Sequence, residues 1–113
     1  MKIGQTALII AVLLFSGTAE AATATMFGGY DCGQWVTRPR GRSHPAESWV
    51  LGYLSGLSVA HDRSGMPPAD PLNSLNSAAQ TFLWLDIFCQ ANPLRQLDGA
   101  ANELFAELKS KQR

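Results

Sequence analysis

Phe82-Leu83-Trp84-Leu85-Asp86-Ile87-Phe88-Cys89 is the stretch on which the fold of this chain turns. It is apolar nearly all round a helical wheel, and a helix that is hydrophobic on every side is normally buried on every side. A domain of three or four helices cannot easily surround one of its own. Either another segment wraps over this helix, or one face stays open as a partner surface. Trp84, Leu85 and Phe88 are the candidates for such a surface. The stretch ends on Cys89, and the only other cysteine is Cys32. If the two pair, the N-terminal segment is tied to this helix, which favours wrapping.

Pairing depends on the compartment, and the start of the chain speaks to that. Lys2 is followed by the uncharged apolar run Ala7–Phe15, then Ser16-Gly17-Thr18, then the small-x-small pattern Ala19-Glu20-Ala21. This is the layout of a secretory signal spanning residues 1–21. The apolar run is roughly half of what a bilayer-spanning helix needs. The expectation is a periplasmic or secreted protein with no stable membrane insertion, made of one domain over residues 22–113. Two cysteines in a small exported domain pair more readily than they stay free. The loop closed by Cys32 and Cys89 is worth about 4 kcal/mol by chain-entropy reasoning.

Residues 22–30 are small, polar and glycine-bearing, and read as a flexible lead-in. Asp31–Val36 fits one helical turn. Thr37–His44 is a basic loop broken by Pro39 and Gly41. The first long helix begins at Pro45, a residue suited to the first helical position, with Ser43 or His44 as cap. Trp49, Val50, Tyr53, Leu54, Leu57 and Ala60 then form one face, and Gly65 with Pro67-Pro68 ends the helix. A second helix opens at Asp70-Pro71 or Asn73-Ser74 and carries Leu75, Ala79, Phe82, Leu83, Asp86 and Cys89 on a stripe. A third opens with Asn92 as cap and Pro93 in the first turn, its stripe formed by Leu94, Leu97, Ala101, Leu104, Phe105 and Leu108. No stretch alternates with period two. The fold expected is all-α: a small disulfide-linked bundle of three main helices plus a short N-terminal helical turn.

Three features bear on function. Gly52-Tyr53-Leu54-Ser55-Gly56 places Gly52, Ser55 and Gly56 where another helix of the same chain could pack closely, or where a partner could dock. Arg38, Arg40 and Arg42 either form a solvated loop or present guanidinium forks to a partner's carboxylate or phosphate. Asp86 either looks out at solvent or is buried; if buried, its pKa rises unless a cation pairs with it, and it becomes a candidate acid sensor.

The composition balances nine Lys and Arg against nine Asp and Glu, which disfavours nucleic-acid or anionic-membrane binding. No G-x-S-x-G, P-loop, dinucleotide fingerprint or metal-ligand spacing occurs. Neither an enzyme nor a cofactor or metal site is expected. A protein partner or client is expected instead, with a homodimer as one form of it.

Cys32, the block Trp49-x-x-Gly52-Tyr53-Leu54-Ser55-Gly56, then Trp84-x-x-x-Phe88-Cys89-x-x-Asn92-Pro93 and Ala100-Ala101 give the chain a recognisable outline. It resembles the HdeA/HdeB-type acid-stress proteins of the periplasm and, more loosely, is similar to the Tai-type immunity proteins that neutralise type VI secretion effectors. The first resemblance implies a short helical bundle tied by one disulfide and a chaperone-like role, with apolar surface hidden at neutral pH and exposed when carboxylates protonate. The second implies a periplasmic immunity or inhibitor protein with one specific effector or enzyme as its partner.

Overall fold

The computed structural model describes residues 25–112; the signal segment 1–21 lies outside the described residues. Four helices follow one another: α1 (Cys32–Val36), α2 (Pro45–Ser64), α3 (Ala78–Ala91) and α4 (Leu97–Lys111), with a 3-10 turn at Pro71–Ser74 between α2 and α3. No strand occurs among the described residues, and Cys32 is bonded to Cys89. The small disulfide-linked helical bundle read from the sequence is therefore what the chain forms.

Local chemistry sets most helix ends. His44 caps α2: its Nδ1 accepts the Ala46 N–H, and its own N–H donates to Glu47, the reciprocal arrangement of a capping box. Gly65 ends α2 in the left-handed region at φ 68°, a conformation that costs glycine little. Ser77 caps α3. The second helix thus begins later than Asp70-Pro71 or Asn73-Ser74 suggests, because Pro71–Ser74 closes only a 3-10 turn.

The third helix starts at Leu97 rather than at Pro93. The intervening backbone is engaged elsewhere: the Cys32 N–H donates to the Arg95 carbonyl and the Leu97 N–H donates to the Tyr30 carbonyl. Residues 30–32 and 95–97 thereby lie antiparallel, bridged at Asp31 and Gln96. That pairing fixes the end of the lead-in, where Tyr30 packs partly buried against the core.

Helix α4, not α3, occupies the middle. It packs against α2, α3, α1 and the 3-10 turn, with Leu97, Ala100, Ala101, Leu104, Phe105 and Leu108 buried. α2 contributes Ala46, Val50 and Leu54; α3 contributes Thr81, Leu85, Asp86 and Cys89. Four residues of the expected stripes fall outside the core: Ala60, Ala79 and Leu83 are exposed, and Leu94, on the turn before α4, is 95 % exposed.

Candidate functional site

α1 is too short to be stable alone, since an isolated helix of a few residues cannot offset its nucleation cost. Two ties one turn apart hold it on α3. The first is the disulfide from Cys32 to Cys89. The second joins Trp35, three residues along α1, to Asp86, three residues back along α3: the indole Nε1–H donates to Asp86 Oδ1 at 2.9 Å.

Asp86 collects two further donors. Arg38 Nη1 donates to Oδ1 at 2.9 Å and Arg40 Nη1 to Oδ2 at 2.7 Å. The Arg38 side chain is itself buried; it also donates to the Trp35 carbonyl at 2.8 Å, lies 3.5 Å from Glu47 Oε2, and stacks its guanidinium 3.7 Å from the centroid of the Trp35 ring. The chain Glu47–Arg38–Asp86–Arg40 thus joins α2, the basic loop and α3. Burial pushes the Asp86 carboxyl up; the hydrogen bonds from Arg40 and Arg38, with their charges, outweigh that and hold it below the ordinary carboxylate value.

Several sequence-level expectations change in consequence. Asp86 does not look out at solvent: it is 7 % exposed. Arg38 is no part of a partner surface, because its guanidinium is spent inside the fold. Arg40 is half exposed but committed to Asp86, and Arg42 is exposed as well.

Gly52 and Gly56 do not line a helix contact. Both are exposed, and a Cβ built at either would meet nothing within 4 Å. The reason is angular: each follows a core residue, Val50 or Leu54, by two positions, which turns it about 200° away from the α4 contact. Ser55 is exposed as well, its hydroxyl donating to the Leu51 carbonyl.

On α3 the aromatic and aliphatic side chains divide. Leu85 is fully buried and belongs to the core, so it drops out of the candidate surface. Trp84 and Phe88 are half-buried and stacked on each other at 5.3 Å, with the Trp84 Nε1–H donating to Glu107 of α4. Leu83 and Ile87, one turn apart, are 60 % and 63 % exposed. Beside them a groove of about 350 Å³ runs between the 3-10 turn, α3 and α4, lined by Leu75, Trp84, Leu104 and Leu108 with Glu107 and Lys111 at its rim. The sequence stretch quoted first is therefore both wrapped, by α1, and open, along Leu83 and Ile87. The helical spacing puts Leu83 on the apolar stripe and leaves Ile87 off both the stripe and the candidate surface, because an all-round apolar helix carries no signal of which side stays bare.

Among the described residues no three His, Cys, Asp or Glu side chains gather where they could hold a metal, and no helix is long and apolar enough to cross a membrane. No family model, curated protein or solved structure matches the chain.

Proposed function

We propose that this chain is an exported, non-enzymatic binding protein of chaperone-like character, which holds apolar segments of other polypeptides against the outer face of α3 in the periplasm. The observation that carries this reading is the exposed pair Leu83 and Ile87 at the edge of an apolar groove. Large apolar side chains set together beside a groove mark interaction surfaces more often than scattered ones do. Export is supported by the signal-like start of the chain and by the buried disulfide, a bond that persists in oxidising compartments. The likeness to HdeA/HdeB-type proteins points the same way.

One observation favours a second reading, the immunity or inhibitor protein. Leu83 and Ile87 are already exposed in the folded domain, on a frame that α1 clamps from behind, so a fixed surface is available to one partner without any acid-induced change.

Light scattering of a reduced, aggregating model polypeptide tests the first reading. The mature protein is expected to suppress aggregation, and the double substitution Leu83→Glu, Ile87→Glu is expected to abolish most of that effect with little change in melting temperature, because both side chains lie outside the core. Absence of suppression by the unsubstituted protein at pH 7 and at pH 3 would overturn the chaperone-like reading and leave the immunity or inhibitor one.

A further inference from the structure

The binding face leaves the strap between α1 and α2 unused. Thr37–His44 is pinned at both ends and bare in the middle. At one end the buried Arg38 donates to the Trp35 carbonyl and to Asp86, and the half-exposed Arg40 donates to Asp86. At the other end His44 caps α2. Between them Pro39, Gly41, Arg42 and Ser43 are exposed. Among the described residues, no backbone hydrogen bond engages residues 39–43, and no ion pair engages Arg42.

We propose that the Arg42–Ser43 bond is a cleavage site for trypsin-like serine endopeptidases, and that the chain cut there stays assembled as a disulfide-linked two-chain protein. The site involves neither Leu83 nor Ile87, so it goes beyond the binding reading and stands independently of it.

Such an enzyme asks three things of its substrate. It needs a guanidinium free to enter a pocket with a carboxylate at its base. It needs main chain without competing hydrogen bonds, and a stretch that can be drawn out. Of the arginines among the described residues, Arg42 alone combines them. The Arg38 guanidinium is buried, and the bond after it leads to Pro39. The Arg40 guanidinium is held by Asp86 at 2.7 Å. Arg63 lies in the last turn of α2. The Arg95 carbonyl accepts the Cys32 N–H, and its own N–H donates to the Asn92 carbonyl. Gly41 supplies the extension. It sits in the left-handed region at φ 87°, and glycine passes between that region and the extended one without steric cost. Straightening there lays residues 41–43 out while Arg38 keeps its place.

The reaction is hydrolysis. The enzyme's serine oxygen bonds to the Arg42 carbonyl carbon, the bond to the Ser43 nitrogen breaks, and that nitrogen leaves with a proton from the enzyme's histidine. Water then takes the acyl group from the serine. One water is consumed; Arg42 ends in a carboxylate and Ser43 begins with an ammonium.

The contacts that place α1 do not pass through the cut. The piece ending at Arg42 carries α1, bonded to α3 through Cys32 and Cys89. Trp35, Arg38 and Arg40 all donate to Asp86 of the other piece. Arg38 lies 3.5 Å from Glu47 Oε2, which belongs to the far side of the cut. Tyr30 and Cys32 pair through their backbone with Leu97 and Arg95. Cleavage removes chain continuity and leaves every one of these.

The test treats the mature, disulfide-intact protein with trypsin in neutral buffer, after acetylation of Lys109 and Lys111 to confine the enzyme to arginine. Intact mass is followed in time, with and without reduction. The first product should be heavier than the parent by one water and keep its near-UV circular dichroism. On reduction it should split into a piece ending at Arg42 and one beginning at Ser43. Arg42→Gln, a change at an exposed position outside the core, should slow that first cut by more than about a hundredfold, and Arg63→Gln should leave it unchanged. The site is overturned if the first cut falls after another arginine, if several cuts appear together as from an unfolded chain, if no cut occurs, or if Arg42→Gln is cut as fast as the parent. Loss of the near-UV signal in step with a cut at Arg42 would overturn the two-chain assembly.

Discussion

Asp86 is surrounded in sequence by apolar side chains, and two opposed effects act on it once it is folded. Desolvation disfavours its charge; the hydrogen bonds and charges of two guanidiniums favour it, and they prevail. The cluster as a whole adds little to stability, because removing Arg38 and Asp86 from water nearly cancels what the attraction returns. Deleting one member is another matter. Asp86→Ala leaves the buried Arg38 without its nearest countercharge, and equilibrium denaturation should show a loss of about 3–5 kcal/mol. The sequence held half of this. A lone aspartate in an apolar helix marks a position where either solvent or a cation must answer it, and the condition under which its pKa would not rise is readable from the residue alone. Which cation answers is not readable. Arg38 and Arg40 lie in an aperiodic loop, and neither their spacing nor Pro39 and Gly41 tell which way a side chain points.

Helices were legible where their ends carry chemistry of their own. His44 with Pro45 and Glu47 announces the start of α2, and Gly65 its end. The start of α4 was hidden because Asn92-Pro93 has the right residues for a helix start, while a long-range pairing of Arg95 and Leu97 with residues 30–32 claims the backbone first. The glycines of α2 show the same limit from the other side. G-x-x-x-G states that one strip of a helix is bare, and only the neighbouring core residues Val50 and Leu54 fix where that strip faces. Since it faces solvent, the glycines carry their propensity cost with no packing in return. Gly52→Ala and Gly56→Ala should each stabilise the domain by about 0.5–1 kcal/mol, read as a rise in melting temperature. A fall would mean that something fills the strip.

Across the whole molecule α4 packs on both α2 and α3, and α1 lies against α3 and α4, fastened by the disulfide and the Asp86 cluster. The all-round apolar character of Phe82–Cys89 follows from this arrangement: one side of α3 meets α4, another meets α1, and the side carrying Leu83 and Ile87 meets neither. The outer face of α2, bare at its glycines and carrying one large exposed apolar side chain, Val59, is the opposite extreme. On the proposed reading, polypeptides bind on the first face and not on the second. Site-specific photocrosslinking decides between them: a benzophenone side chain at position 87 in one sample and at position 56 in another, each irradiated with the same unfolded model polypeptide at pH 7. Adducts from position 87 with none from position 56 are the expected result; adducts from position 56 alone, or none from position 87, would contradict it.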